Sequence, residues 1–273
     1  MRPVNRRSWV LLVLVGLGLA SALLLGLHRE APLLSTERWR LTGRFLRAAV
    51  RPTLTSQSDL ASPLLPRVVE GARNTLAFAT AAMSLALVVG LPLGIVASER
   101  FWRVLPLGRG LRTVLYATAR ALLAVLRSVH EILWGILMLA AFGLHPASAV
   151  IAIAIPFAGT LAKVVSEMLD EADDDAAEAL RWSGASASQA FACGVVPLTL
   201  ADLGAYTFYR FECALRSAAI LGFFGFPTLG KFLYESFGEL YFREAWTYLY
   251  ALLALLLFVE GWSALLRQRL RVA

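Results

Sequence analysis

The sequence has few charged residues and few of the residues that build metal sites or disulfide frameworks. Only 16% of its 273 residues are charged and 58% are apolar, whereas soluble domains usually carry about a quarter charged residues. Its two cysteines, Cys193 and Cys213, stand twenty positions apart, and its three histidines do not cluster. These residues have the spacing of neither a disulfide framework nor a metal-ligand set.

Catalytic motifs are missing as well. His130 and Glu131 begin like a zinc-protease HExxH motif, but Trp134 stands where the second histidine is required. The segment from Gly159 to Lys163 lacks the second glycine of a phosphate-binding loop. We therefore expect no enzyme activity, no cofactor bound by this chain and no metal site.

Long uncharged stretches are the main positive feature of the sequence. They run over 10–27, 74–98, 132–162 and 245–259, and each has the length of a membrane-spanning helix or nearly so. They predict an all-α, multi-pass membrane protein. We expect six spans, at about 9–27, 73–97, 120–143, 147–169, 198–222 and 245–264.

The arginines predict the orientation of these spans. The chain carries a net charge of +7, and such an excess in a membrane protein sets topology more often than it binds nucleic acid. Arginines before the first span, in the 98–112 loop and in the C-terminal tail predict that both termini are cytoplasmic. The external segment 28–72 is also basic, which fits either a helix lying on the membrane surface or a solvated linker. We therefore divide the chain into an N-terminal anchor with this segment, 1–72, and a transmembrane domain, 73–273.

The segment 170–197 is long for a connection between two spans. It opens with five acids in six positions, continues as a helix-forming run, and then has Gly184, a second short helical run and Pro197. This pattern predicts two short helices broken at a glycine, which would form a compact docking surface on the cytosolic side. A solvated loop is the alternative that the residues alone leave open.

The same segment resembles the EAA loop of ABC importer permeases, E-A-A-x3-G-x9-I-x-L-P. Glu178 and Ala179 match its start, Gly184 its glycine and Pro197 its proline. Three positions of the pattern are replaced, by Leu180, Gly194 and Val196. The resemblance implies that the segment is a coupling loop that docks on ABC ATPase subunits. It also implies that these partners bind and hydrolyse the ATP.

Charged residues within the predicted spans are costly to insert and are candidate functional residues. Opposite charges one helical turn apart predict local ion pairs, as for Arg127 with Glu131, Lys163 with Glu167 and Glu212 with Arg216. The candidates for a translocation pathway or its gate are Arg127, Glu131, Lys163, Glu167, Tyr209, Arg210, Glu212 and Arg216. A structural clamp between helices remains the alternative for each pair, and the positive excess among them would suit a passing anion.

The residues around these charges resemble phosphonate-type ABC permeases, the PhnE-like class, from about residue 74 to the C-terminus. The similar segments are 127–131, the series Gly159, Lys163 and Glu167, and 209–222. The resemblance implies a type I ABC importer permease fold in the cytoplasmic (inner) membrane, surrounded by lipid. It also implies a second permease copy or a paralogue, a periplasmic substrate-binding protein and two ATPases.

Some positions depart from this class. The class usually has proline at the position of His130 and asparagine at that of Ala214, and a glycine-rich segment where this chain has 225–230. That segment is expected at the periplasmic mouth, where the candidate residues are Gly225, Phe226, Pro227 and Gly230. A change in packing and an altered choice of substrate or binding protein explain this departure equally well.

Two other functions remain open at this point. One is import of another small solute, such as an amino acid, by a permease of the same fold. The other is a membrane docking or assembly component without transport, in which 170–197 would bind a partner and the charges within the spans would serve only as clamps.

Overall fold

The computed structural model describes residues 6–26, 36–57 and 63–272, and within these ranges the chain is helical and forms no strand. Twelve α-helices follow one another there: α1 Arg6–Leu24, α2 Thr36–Val50, α3 Leu65–Val96, α4 Glu99–Val104, α5 Arg109–Ser128, α6 Glu131–Phe142, α7 Pro146–Glu171, α8 Asp175–Trp182, α9 Ala187–Ala190, α10 Val196–Ile220, α11 Leu229–Gly238 and α12 Phe242–Val272. A π-helical turn, Phe191–Val195, joins α9 to α10, and a 3₁₀ turn, Leu221–Phe224, follows α10. The all-α prediction is confirmed.

Four stretches of the described chain are long and apolar enough to cross a membrane. They are Leu65–Val96, Pro146–Glu171, Ala187–Phe224 and Phe242–Arg269. A fifth is formed if α5 and α6 are counted together, although these two helices are bent by 87°. The apolar part of α1, Trp9–Leu24, is shorter than the other stretches.

The third predicted span, 120–143, is therefore not one straight helix. Val129 is extended, with φ −99° and ψ 127°, and ends α5. His130 is extended as well, and its Nδ1 accepts a hydrogen bond from the backbone N–H of Ile132, 3.3 Å away. The side chain of His130 thus caps a new helix, α6, so the chain changes direction within the predicted span.

Helices α3 and α7 pack with their backbones close together, and small residues make this approach possible. A Cβ atom on Gly94 would lie 2.7 Å from Cβ of Val165, and one on Gly90 would lie 3.0 Å from the carbonyl oxygen of Ala158. Small residues at such crossings are typical of helices that associate within membranes. Both helices contribute buried residues to one hydrophobic cluster, so they form the centre of the transmembrane part.

The chain divides into two compact units, Met1–Arg51 and Pro52–Ala273. The first contains α1, whose apolar side chains are largely exposed, and α2. Exposed arginines follow one side of α2, and Trp39, Leu46 and Val50 are exposed beside them. A helix therefore forms within the basic 28–72 segment, in a pattern that suits a membrane surface; its location there stays a prediction.

In the second unit, the residues before α3 are tied to the start of α12. Thr247 Oγ1 donates a hydrogen bond of 2.6 Å to the carbonyl oxygen of Thr53. Ser56 Oγ donates one of 3.2 Å to the buried carboxylate of Glu244. Segment 52–57 therefore packs on the transmembrane part, and α3 then begins at Leu65, about two turns before the start that we predicted.

Candidate functional site

The 170–197 segment forms the two short helices that its sequence predicts. Helix α8 ends at Trp182, and Gly184 then adopts φ +93°, a left-handed conformation that side chains with a Cβ atom disfavour. Ser186 begins α9 through a capping box with Gln189. The break at Gly184 therefore sets the direction of α9 relative to α8.

A contact between two small residues holds α8 against the π-helical turn. Ala177 is buried, and a Cβ atom on Gly194 would lie 2.9 Å from its Cα atom. Gly194 stands where the EAA pattern has isoleucine, and the structure gives the reason: only glycine leaves room for the backbone of α8. Leu180, which replaces the second alanine of the pattern, is half-buried against the main hydrophobic cluster.

The opposite side of α8 is open to solvent. Glu178 and Ala179 are exposed, and Trp182 is 88% exposed. An indole that is not covered by its own chain is typical of the residues that anchor protein–protein interfaces. Sequence reasoning missed Trp182, although a tryptophan in an otherwise polar, acid-rich segment was a signal.

Pro197 lies in the first turn of α10, directly after the π-helical turn, and is exposed. Proline has no backbone N–H and cannot continue the hydrogen-bond ladder of a helix. Helix irregularities of the π type accompany such interruptions. Pro197 thus marks the point where the connecting segment becomes the membrane-spanning helix.

The predicted ion pair between Arg127 and Glu131 does not form in the described part of the chain. The bend between α5 and α6 separates the two residues, so they are no longer one turn apart on a single helix. Glu131 instead accepts a hydrogen bond of 3.0 Å from Ser217 Oγ, and His130 Nδ1 lies 3.5 Å from its other oxygen. Arg127 is exposed at the end of α5.

The pair of Lys163 and Glu167 forms on α7 as predicted. On α10, the guanidinium of Arg210 lies over the ring of Phe157, 4.3 Å from its centroid. Its Nε atom is buried and has no hydrogen-bond acceptor within the ranges that the structure describes. The contact that holds the guanidinium is therefore its stacking on the ring of Phe157.

Glu212 pairs with a residue that sequence reasoning did not consider. It is only 7% exposed and forms an ion pair of 3.0 Å with Arg267 of α12. Arg216, the predicted partner of Glu212, is exposed. Tyr209, on the same helix, is exposed as well. The local pairing was wrong because Glu212 faces α12, and the arrangement is a clamp between α10 and α12.

The 225–230 segment is a packed turn that closes onto the start of α3. Gly225 has φ +97°, Phe226 is buried, and the ring of Phe226 meets that of Phe78 edge-on at 5.9 Å. The carbonyl oxygen of Pro227 accepts a hydrogen bond of 2.9 Å from Asn74.

Helix α11, which follows this turn, makes a similarly close contact. A Cβ atom on Gly230 would lie 1.9 Å from the carbonyl oxygen of Ala219. Gly230 therefore keeps a glycine of the pattern where no side chain would fit. The buried ring of Phe226 favours the packing explanation for the departure from the glycine-rich pattern.

Known proteins share the sequence pattern and the architecture of this chain. Residues 90–272 match the family described as "Binding-protein-dependent transport system inner membrane component". The chain belongs to this family. It is accordingly a multi-pass inner-membrane protein and a component of a transport system, and the matched region contains α8, α9 and the charged residues of α5–α7 and α10.

Individual relatives agree with the family match. The chain is 30% identical over 199 residues to the phosphate-import permease protein PhnE of Mycolicibacterium smegmatis, covering 73% of this chain and 36% of that protein. It is 27% identical over 225 residues to the phosphite transport system permease protein PtxC of Stutzerimonas stutzeri, covering 80% and 79%. The chain thus spans about a third of the first relative and most of the second.

The fold is that of ABC importer permeases. A chain of the MetNI methionine ABC transporter in an inward-facing conformation superposes with a TM-score of 0.65 at 21% identity. The match covers 77% of this chain and 99% of that one. The prediction of a type I importer permease fold is confirmed.

Proposed function

We propose that this chain is the permease subunit of an ATP-driven importer for phosphonate, phosphite or a related oxyanion. The observation that carries this proposal is the exposed pair of helices, α8 and α9, broken at Gly184 between two helices that are long enough to cross the membrane. In this proposal a partner ATPase binds and hydrolyses ATP, and the permease converts the partner's movement into alternating access.

The coupling loop would dock on the ATPase through the exposed side of α8, with Trp182 as its anchor and the neighbouring acids as a charged rim. Residues Glu178, Ala179, Gly184 and Pro197 would give the loop its shape and direction. Basic residues in the 98–112 loop and at the C-terminus support cytoplasmic termini. With that orientation, 28–72 lies outside and the transmembrane domain begins near residue 73.

The pathway would be lined by charged residues of the helices around the α5–α6 bend. Arg127, Arg210 and Arg216 supply positive charge, Tyr209 is exposed beside them, and Lys163 and Glu167 form a neutral pair on α7. Relatives named for phosphate and phosphite transport support an oxyanion as the substrate. A periplasmic binding protein would deliver it to the face that carries 225–230, and a second permease copy or a paralogue would complete the pathway.

One alternative keeps the fold and changes the solute. The MetNI transporter is named for methionine, so an amino acid is the second candidate substrate. The positive excess among the span residues argues for an anion over methionine, because methionine carries no net charge at neutral pH. A membrane component that only docks a partner and transports nothing would not need an excess of positive charge among its span residues.

The test is purification of the permease from its native membrane in mild detergent, followed by identification of co-purifying proteins by mass spectrometry. We expect an ABC ATPase in comparable amount. The accompanying binding protein would then be titrated with phosphite, phosphate, methylphosphonate and methionine. Absence of an ATPase, under conditions that keep other membrane complexes intact, would overturn the proposal, and binding of methionine alone would replace its substrate.

A further inference from the structure

A single arginine outside the transmembrane helices joins the cytoplasm-facing end of α3 to the coupling helices. Arg100 lies in the second position of α4, which follows α3 after a two-residue turn. Its side chain is 19% exposed. Because an arginine at the surface is usually well exposed, this degree of burial indicates that the guanidinium is held in place.

Hydrogen bonds to α7 hold the backbone around Arg100. The carboxylate of Asp170, in the last turn of α7, accepts a hydrogen bond of 2.6 Å from Ser98 Oγ and one of 3.2 Å from the backbone N–H of Arg100. Ser98 is completely buried. The start of α4 is therefore attached to the end of α7 by hydrogen bonds that do not involve the arginine side chain.

The guanidinium of Arg100 contacts both sides of the junction between α7 and α8. Nη2 donates a hydrogen bond of 2.5 Å to the carbonyl oxygen of Ala172, which ends α7. Nη1 forms an ion pair of 3.1 Å with Asp174, which precedes α8. One planar group thus holds the last carbonyl of one helix and the first side chain of the next.

These contacts replace direct packing between α4 and α8. A cleft of about 210 Å³ lies between the two helices, lined by Val104 on one side and by Ala177 and Glu178 on the other. Helix α8 also packs through Ala177 and Leu180 on the main hydrophobic cluster, and the ring of Phe101 on α4 lies 6.4 Å from that of Phe191. The contacts of Arg100 add a polar connection between α4 and the junction of α7 and α8. Because α3 and α7 are closely packed, we expect a shift of one to displace the other.

We propose that Arg100 is a positioning residue that fixes the angle of α8 relative to α3 and α7 and so passes the movement of a docked ATPase to the transmembrane helices. This rests on the proposed permease function. Arginine is required because one nitrogen of its planar group donates to the carbonyl oxygen of Ala172 while another lies against the carboxylate of Asp174, whereas lysine offers one compact charge. The residue acts through Ala172 and Asp174 and contacts no substrate.

The experiment uses the whole complex of permease, ATPase and binding protein reconstituted in liposomes, with phosphite and methylphosphonate as transported probes. The variants are R100K, R100Q and D174N. The matched control is R103Q, because Arg103 lies on the same short helix, is well exposed and forms its ion pair with Glu99, one turn away on that helix. Arg103 also borders the cleft, and the charges of Asp170 and Asp174 contribute less than Glu99 to its raised pKa. R103Q therefore removes a positive charge from the same helix and leaves the contacts of Arg100 in place.

We expect R100K and R100Q to bind the ATPase in unchanged amount, while uptake per ATP hydrolysed falls roughly fivefold or more. D174N should lower uptake per ATP hydrolysed by the same factor, and its ATPase binding is measured separately because Asp174 is one of the exposed acids beside α8. R103Q should behave as the wild type. Combining R100Q with D174N should cost less than the sum of the two, because both remove the same ion pair.

The outcomes separate the two proposals. Wild-type coupling in R100K would overturn the role of Arg100, as would an equal loss in R103Q. If R100Q does not assemble, R100K and D174N still decide, because each keeps part of the junction intact. Failure of the wild-type chain to bind an ATPase at all would instead overturn the permease function.

Discussion

Replacement of Gly184 tests the coupling loop through the backbone alone. Gly184 has φ +93°, and nothing lies within 4 Å of the position that a Cβ atom would take. A side chain there meets no neighbour, so its whole effect comes from the conformation. A left-handed conformation costs an ordinary residue about 1–2 kcal/mol, and a β-branched residue is among the least tolerant. For Gly184→Val, about 2 kcal/mol lowers the ratio of the present loop conformation to its alternatives roughly 30-fold.

The expected result is that the variant inserts normally but loses ATPase binding and uptake by a factor near this one. The measurement compares co-purified ATPase and uptake per permease in proteoliposomes. Gly184→Asn is the matched control, because asparagine tolerates the left-handed conformation. Gly238→Val makes the same substitution at another open position without a positive φ. Uptake by Gly184→Val equal to that of the wild type, at equal protein levels, would falsify the assignment of this loop.

Three further variants test other contacts. Trp182→Ala should weaken ATPase binding by about 2 kcal/mol, or roughly 30-fold, as loss of an interface anchor does, whereas Trp39→Ala should not; equal binding by both would refute the anchor. Arg267→Gln leaves the buried carboxylate of Glu212 unpaired and should cost about 3–5 kcal/mol, seen as a lower unfolding temperature in detergent; the exposed Arg269→Gln should change it little, and similar temperatures for both would contradict the clamp. Gly194→Ile restores the residue of the EAA pattern but would collide with Ala177, so limited proteolysis should cut near residue 183 faster than in the wild type; unchanged cutting would show that α8 can move aside.

Much of the helical architecture could be predicted because it depends on local properties. Uncharged stretches identify membrane helices through their length, and Gly184 between two helical runs identifies the break between α8 and α9. The turn between the third and fourth predicted spans also appears, where Gly143 adopts φ +70° and Pro146 begins α7. Each of these signals lies within a few residues of the feature that it predicts.

The contacts between helices could not be predicted in the same way. A rule based on i,i+4 spacing assigns every charge a neighbour on its own helix, yet Glu212 pairs with Arg267 on α12. Glu131 bonds to Ser217, 86 positions away. The bend after α5 was missed because the charges on either side of it, Arg127 and Glu131, have the i,i+4 spacing of a continuous helix. The capping of α6 by the side chain of His130 depends on a conformation that the sequence does not display.

The bend between α5 and α6 also bears on how the chain enters the membrane. Helix α6 has 12 residues, so it is about 18 Å long and cannot cross about 30 Å of hydrocarbon alone. Helix α7 follows it after a three-residue turn and packs against it. Counted apart from α5, helix α6 therefore relies for its place in the membrane on packing against α7, a helix that is synthesised after it.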